Sequence, residues 1–226
     1  MLDHKLEKKT INKKTILISS GKGGVGKSTV ASILAQQLAK KGKSVGIIDS
    51  DLYCSSINTI FGLTGDTNVL SQGVTIVSIN TMPNQHFAWR GPIATKILRN
   101  MIDNKNLQDL DYVIIDMPPG TGDIHMSIAS NYHIYGAIIV STFQQLAINN
   151  AIKVANLYKR YEIEILGIVS NMCDVQYPRS LDSAQELKEI LQVSKTVSIQ
   201  FDPLIAKSCD EGIAIIAPDI TSLVCS

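Results

Sequence analysis

Apolar residues along the chain fall into short unbroken runs, separated by stretches with a longer repeat. The runs are 15–20 (TILISS), 44–49 (SVGIID), 74–79 (VTIVSI), 112–116 (YVIID), 137–142 (AIIVST), 163–170 (IEILGIVS) and 196–199 (TVSI). They are short and rich in Ile and Val, which predicts strands. Between most of them, apolar positions recur every three or four residues. From Ser28 onward Val30, Ile33, Leu34 and Leu38 mark one helix face, Gln36, Gln37 and Lys40 are polar, and Gly42 ends the helix. The same period runs through 93–103, 145–161 and 181–191. Strands that are apolar throughout are buried on both sides. The pattern therefore predicts an α/β fold of three layers, a parallel sheet with helices on both faces. Right-handed crossovers bring the strand C-terminal ends to one edge, where such folds bind ligands. Gly21, Asp49, Asp116 and Asn171 all stand at or just beyond strand ends.

That edge carries the chemistry. Residues 21–28, GKGGVGKS, fit G-x-x-x-x-G-K-[ST] between a predicted strand and a predicted helix. The backbone N–H groups of such a loop point at phosphate oxygens, and the helix N-terminus adds its positive end. Gly21, Lys22, Gly23, Gly24, Val25, Gly26, Lys27, Ser28 and Thr29 are thus the expected nucleotide cradle. Lys27 is expected at the β- and γ-phosphates, the Ser28 hydroxyl on Mg²⁺, and Thr29 at the α-phosphate. Asp116 ends an apolar strand and is expected to accept from a magnesium-bound water. In Asp49-Ser50-Asp51, Asp51 is expected to orient the attacking water and Asp49 to support the loop or the magnesium. Residues 116–123, DMPPGTGD, hold two prolines and two glycines and cannot be regular structure. Beside a γ-phosphate they form a candidate switch, with Asp123 either part of it or capping the next helix. No guanine-reading N-K-x-D follows Asn171, so adenine is the expected base.

Composition narrows the setting. The chain has 226 residues, 45% of them apolar, enough for one sizeable core, and 15–226 is expected to be a single domain. A net charge of +1 gives no global field toward nucleic acid or an anionic membrane, and neither is expected as a partner. No apolar run reaches the roughly 18–20 residues of a membrane span. Residues 1–14 are locally basic (Lys5, Lys8, Lys9, Lys13 and Lys14 against Asp3 and Glu7) and are expected to be a mobile tail. Cys54, Cys173, Cys209 and Cys225 are far apart, with no export signal, so a disulfide framework is not expected and a cytoplasmic setting is.

The pattern needs only one lysine, yet the loop has two. A lysine directly after the first glycine resembles the deviant phosphate loop of the family of MinD, ParA and the nitrogenase iron protein. That resemblance implies that Lys22 crosses a homodimer interface to the partner's nucleotide, making hydrolysis depend on association. Longer stretches resemble the Mrp/ApbC iron–sulfur cluster carriers: 49–63 (DSDLYCSSINTIFGL), the triplet Arg90-Gly91-Pro92, 110–129 (LDYVIIDMPPGTGDIHMSIA), 166–172 (LGIVSNM) and 201–215 (FDPLIAKSCDEGIAI). The resemblance implies an Mg-ATP hydrolysing dimer that serves iron–sulfur apo-proteins or scaffold proteins, with Asn171 at the adenine ring. It also implies a C-x-x-C pair after Asn171-Met172, two thiolates per subunit making the four ligands of a [4Fe–4S] cluster. This chain has Cys173 alone there, with Cys54 as the other cysteine near the strand ends, so the cluster stays open. The resemblance further implies a closing helix near the end, where the sequence reaches Ser226. A MinD- or ParA-like spatial organiser and a cluster-less regulatory paralogue are the alternatives. The first would want a basic amphipathic C-terminal helix, and 217–226 has no lysine or arginine.

Overall fold

The computed structural model of the chain describes residues 8–11, 14–51, 55–64, 68–78, 91–174 and 176–225. Its centre is a sheet of eight strands in the order β10-β9-β8-β2-β6-β3-β5-β4. These are β2 (Thr15–Ser19), β3 (Val45–Asp49), β4 (Asn68–Ser71), β5 (Val74–Val77), β6 (Tyr112–Asp116), β8 (Gly136–Ser141), β9 (Ile165–Cys173) and β10 (Thr196–Gln200). All neighbours are parallel except the edge pair β4–β5. That antiparallel hairpin turns at Gln72 and Gly73, both at positive φ (50° and 78°), the geometry of a tight two-residue loop. The sequence pattern carries β5 and misses β4.

Side chains alternate across the strands into two cores. Leu17, Ile48, Val113, Ile115, Ala137 and Ile139 face α3 (Gly91–Ile102), α4 (Asp123–Asn131), α5 (Gln145–Arg160) and α6 (Pro178–Leu191). Ile16, Ile18, Ile47, Ile114, Ile138 and Val140 face α1 (Lys27–Lys40), α2 (Ile57–Ile60), α7 (Pro203–Glu211) and the C-terminal segment through Val224. A fully buried Ile or Leu is worth roughly 1.5–3 kcal/mol, so both helix layers are held by the alternating faces of the same strands.

The basic stretch expected as a tail is tethered where it is described. Lys9–Thr10 (β1) pairs in parallel with Tyr132–His133 (β7), and Ile11 packs against the core. Lys9 also reaches Asp103 at 3.3 Å. The segment 213–220 lies extended along α1, held by two glutamines: Gln36 Oε1 accepts from the Ile215 amide and Gln37 Oε1 from the Ile220 amide, both at 2.9 Å.

Candidate functional site

At the C-terminal ends of the central strands lies a cleft of about 370 Å³ lined by Ser20, Lys22, Gly23, Gly24, Gly26, Lys27, Ser28, Thr29, Asp51, Ser56, Ile60 and Pro119. The loop reaches it by a turn that only glycine permits at two points. A Cβ on Gly21 would collide with the backbone of Asn150 in α5, so the loop begins pressed against that helix. Gly26, the N-cap of α1, has φ 81°, and a Cβ there would strike the Asn171 amide. No acid sits in the first turn of α1, so its positive end faces the cleft uncompensated by an acid of its own.

Beneath the loop, Lys27 Nζ stands 2.6 Å from Asp116 Oδ1, and both side chains are buried (8% and 0% exposed). Lys27 also lies 3.4 Å from Ser28 Oγ, and the Ser28 hydroxyl bonds to Asp116. Burial pushes the Asp116 carboxyl up to about 6; Lys27 pulls it down and the neighbouring Asp49 pushes it up. Its other oxygen, Oδ2, is buried without a hydrogen-bond partner. Such an atom is costly unless a ligand uses it.

The other predicted residues divide. Asp51 lines the cleft. Asp49 faces its own chain. Its Oδ2 accepts from Ser55 Oγ (2.8 Å) and from the Ser56 and Ile57 amides (3.0 and 3.2 Å), and its Oδ1 from the Asp51 amide (3.0 Å). It therefore holds the start of α2 and the loop carrying Asp51, while burial raises its carboxyl. Asn171 is buried, and its Nδ2 donates to the Val25 carbonyl at 2.9 Å. Val25 is buried under the loop and lines a second hollow with Lys22, Gly23, Gly24, Thr142, Phe143, Gln144 and Met172. Lys22 itself donates to Gln144 Oε1 at 2.9 Å, an exposed contact. Thr29 bonds to the Cys209 thiol of α7, which burial shifts upward. Asp123 is the first residue of α4, with Gly122 as N-cap, so its charge sits on the helix N-terminus without capping it.

Beside the second hollow lies a third pocket, also about 370 Å³, lined by Phe143, Met172, Cys173, Asp174, Gln176, Gln200 and Phe201. Cys173 is 1% exposed and its thiol donates to the Ser170 carbonyl and hydroxyl, each at 3.3 Å. Among the described residues no three His, Cys, Asp or Glu side chains converge as a metal-ligand group. Cys54 and Arg90 lie outside the described residues.

Several residues of the site give no sign in the sequence. Gln144, Ser56 and Ile60 are ordinary residues until the fold brings them to the loop. The backbone of the 116–123 segment is fixed by Ser50 Oγ to the Asp116 carbonyl (2.5 Å), the Met117 amide to Ile18 (3.0 Å) and the Gly120 amide to Ser20 (2.9 Å).

Known proteins match this arrangement over nearly the whole chain. The ParA family model described as NUBPL iron-transfer P-loop NTPase matches residues 11–224. The iron-sulfur cluster carrier protein of Rickettsia prowazekii (strain Madrid E) is 41% identical over 213 residues, covering 90% of this chain and 66% of that protein. That of Escherichia coli (strain K12) is 42% identical over 172 residues, covering 71% and 47%. The chain thus spans just under two thirds, or about half, of the curated relatives it matches. Among solved structures, a nucleotide-binding protein from Archaeoglobus fulgidus, in complex with ADP, superposes with a TM-score of 0.71 at 31% identity, covering 89% of this chain and 87% of that one. The cell division ATPase MinD of Pyrococcus furiosus shares the fold with a TM-score of 0.70 at 22% identity, covering 90% of each chain.

Proposed function

The chain belongs to the ParA-type family of NUBPL iron-transfer P-loop NTPases, and from that premise we propose that it binds and hydrolyses Mg-ATP in the service of iron–sulfur cluster assembly or carriage. The observation that carries the proposal is the buried Lys27–Asp116 pair under the loop, with Asp116 Oδ2 left without a partner. A lysine at a phosphate loop is a cation awaiting the β- and γ-phosphates. When ATP enters, Lys27 turns from Asp116 to the phosphates, and the freed carboxylate needs another cation. The donors present, the Ser28 hydroxyl and the Asp116 carboxylate, suit magnesium, a hard cation that prefers oxygen. Ser28 would hold it directly, Asp116 through a bound water, and Asp49 would support that loop from behind. Magnesium held there would supply positive charge against the phosphates. Asp51 orients the attacking water from the cleft wall.

The loop from Gly21 to Thr29 cradles the phosphates, and residues 15–226 act as one ATPase domain around it. The base goes to the pocket between Met172 and Phe201, with Asn171 at its junction with the loop. Lys22 is held by an exposed contact to Gln144, free to exchange it for a second subunit's nucleotide. Leu146, Met172 and Tyr177, 59%, 38% and 59% exposed, offer apolar surface for a homodimer. No helix among the described residues is long and apolar enough to cross a membrane. Our reading puts the work in the cytoplasm, with iron–sulfur apo-proteins or scaffolds as partners.

The test is phosphate release with and without Mg²⁺. Wild-type protein should hydrolyse ATP only with the metal, and Asp116→Asn should abolish turnover. Metal-independent hydrolysis, or full turnover in that variant, overturns the proposal. A second reading, a regulatory ATPase without a cluster, is favoured by the buried, hydrogen-bonded Cys173 thiol. A [4Fe–4S] cluster would be cargo here, and two thiolates per subunit are what a shared cluster needs. Anaerobic reconstitution with iron and sulfide, read by ultraviolet–visible absorption, separates the two. A charge-transfer band that Cys173→Ser removes supports carriage; no band supports the regulatory reading.

A further inference from the structure

Behind the cleft, a buried chain of side chains has no part in the chemistry assigned so far. Tyr158 of α5 and His125 of α4 are both 0% exposed. The Tyr158 hydroxyl lies 2.5 Å from Ser19 Oγ and 2.8 Å from His125 Nδ1, and His125 Nε2 lies 2.9 Å from the Pro118 carbonyl oxygen. Donor and acceptor roles follow in order. A carbonyl only accepts, so Nε2 carries the proton. Burial pushes His125 down to about 4 and Lys27 opposes its charged form, so the ring is neutral and Nδ1 accepts from Tyr158. The Tyr158 oxygen then accepts from the Ser19 hydroxyl.

We infer that Tyr158 and His125 are positioning residues: a one-way relay, Ser19 to Tyr158 to His125 to the Pro118 carbonyl, holds the 117–122 loop at the γ-phosphate side of the site. The loop needs such a hold. Pro118 and Pro119 have no N–H, so between the Met117 and Gly120 amides the backbone can be tethered only through its carbonyls. Gly120, at φ 93°, adds freedom just beyond. Pro119 lines the cleft, and Asp116 starts the loop. The relay also passes through α5, against whose Asn150 backbone Gly21 is pressed, so the same helix supports the phosphate loop directly and the 117–122 loop through His125.

The inference rests on the proposed ATP hydrolysis, and its test has two arms. In the first, His125→Asn keeps an acceptor at the Nδ1 place but withdraws the donor from Pro118, whereas His125→Gln returns an amide donor to the Nε2 place. His125→Asn and Tyr158→Phe should lower kcat by about tenfold or more, the cost of a misplaced reacting group. ATP affinity should hardly change, and His125→Gln should recover most of the rate. A wild-type kcat in His125→Asn, or a Gln variant as slow as the Asn one, overturns the relay. The second arm needs no activity. Nitrogen-15 spectra of the imidazoles should show one of the four histidines, assigned by its loss in His125→Gln, as the Nε2–H tautomer from pH 8 to pH 5.5. The Nδ1–H tautomer, or titration in that range, overturns it. If wild-type protein hydrolyses no ATP, the functional proposal falls on its own. The relay is then judged by that spectrum and by amide exchange at Gly120, which the Asn variant must accelerate.

Discussion

Replacing Lys27 with methionine keeps most of its bulk and removes the charge facing Asp116. The carboxylate is 0% exposed, and among the described residues Lys27 and the Ser28 hydroxyl answer it. Breaking a buried ion pair from one side typically costs about 3–5 kcal/mol, because the remaining charge is stranded. The same ceiling follows from protonation. Neutralising a carboxyl of ordinary value 3.8 at pH 7.5 costs about 5 kcal/mol at roughly 1.4 kcal/mol per unit. Asp116 in wild-type protein is pushed up to about 6, so its burial favours the folded state at low pH, and that benefit fades as pH rises through 6. Without Lys27 the carboxyl rises further and the same trend steepens. The deficit of Lys27→Met against wild type should therefore shrink by roughly 2 kcal/mol between pH 7.5 and pH 5.5. Adding Asp116→Asn should restore most of the loss, since the two sites couple. Urea unfolding of the four proteins at both pH values reads all of this. A Lys27→Met variant within about 1 kcal/mol of wild type at pH 7.5, or a deficit that Asp116→Asn leaves in place, refutes the reasoning.

Other consequences follow from other parts of the site. Lys22→Ala should keep ATP affinity and slow hydrolysis, and mixing it with Asp51→Ala should regain part of the rate, because one site of the mixed dimer has both residues; demonstrated heterodimers without recovery would sink the reading. His125, pushed down to about 4, stabilises the fold above its ordinary value of 6.5, and this is lost as pH falls through 4. From pH 7.5 to pH 5, wild type should lose about 2 kcal/mol relative to His125→Gln in denaturant titrations; parallel pH curves would contradict the buried neutral ring. Gly21→Ala should lower both Tm and nucleotide affinity, since its methyl meets the Asn150 backbone; a wild-type melting curve would show that α5 yields freely. ATP should outcompete GTP in direct displacement, and equal binding would remove the base pocket from the account.

The sequence made the sheet legible because strands buried on both faces are apolar without interruption. It made the phosphate loop legible because glycines and lysine stand at fixed spacing. The β4 strand escaped because Asn68–Ser71 is short and half polar, and Gln72-Gly73 lacks the Asn or Asp that marks a two-residue hairpin turn. The Lys9–Thr10 pairing escaped because basic residues beside a chain end look like a solvated tail whether or not a short strand lies opposite. At the site, residue types announced a role but not a partner. Nothing local reveals that Lys27 rests on a carboxylate 89 residues away, or that Asp49 turns both oxygens onto its own loop. His125 and Tyr158 were invisible for the same reason: each sits on a helix with ordinary spacing, and only the packing of α4 against α5 makes them one chain of hydrogen bonds.

Calorimetric titration of ATP into the protein tests the central claim most directly, that the Lys27–Asp116 pair is the resting state of a Mg-ATP site. One ATP per chain should bind in the presence of Mg²⁺, more weakly without it, and Lys27→Ala should lose most of the affinity. No binding heat, or an affinity that Lys27→Ala leaves unchanged, would contradict it.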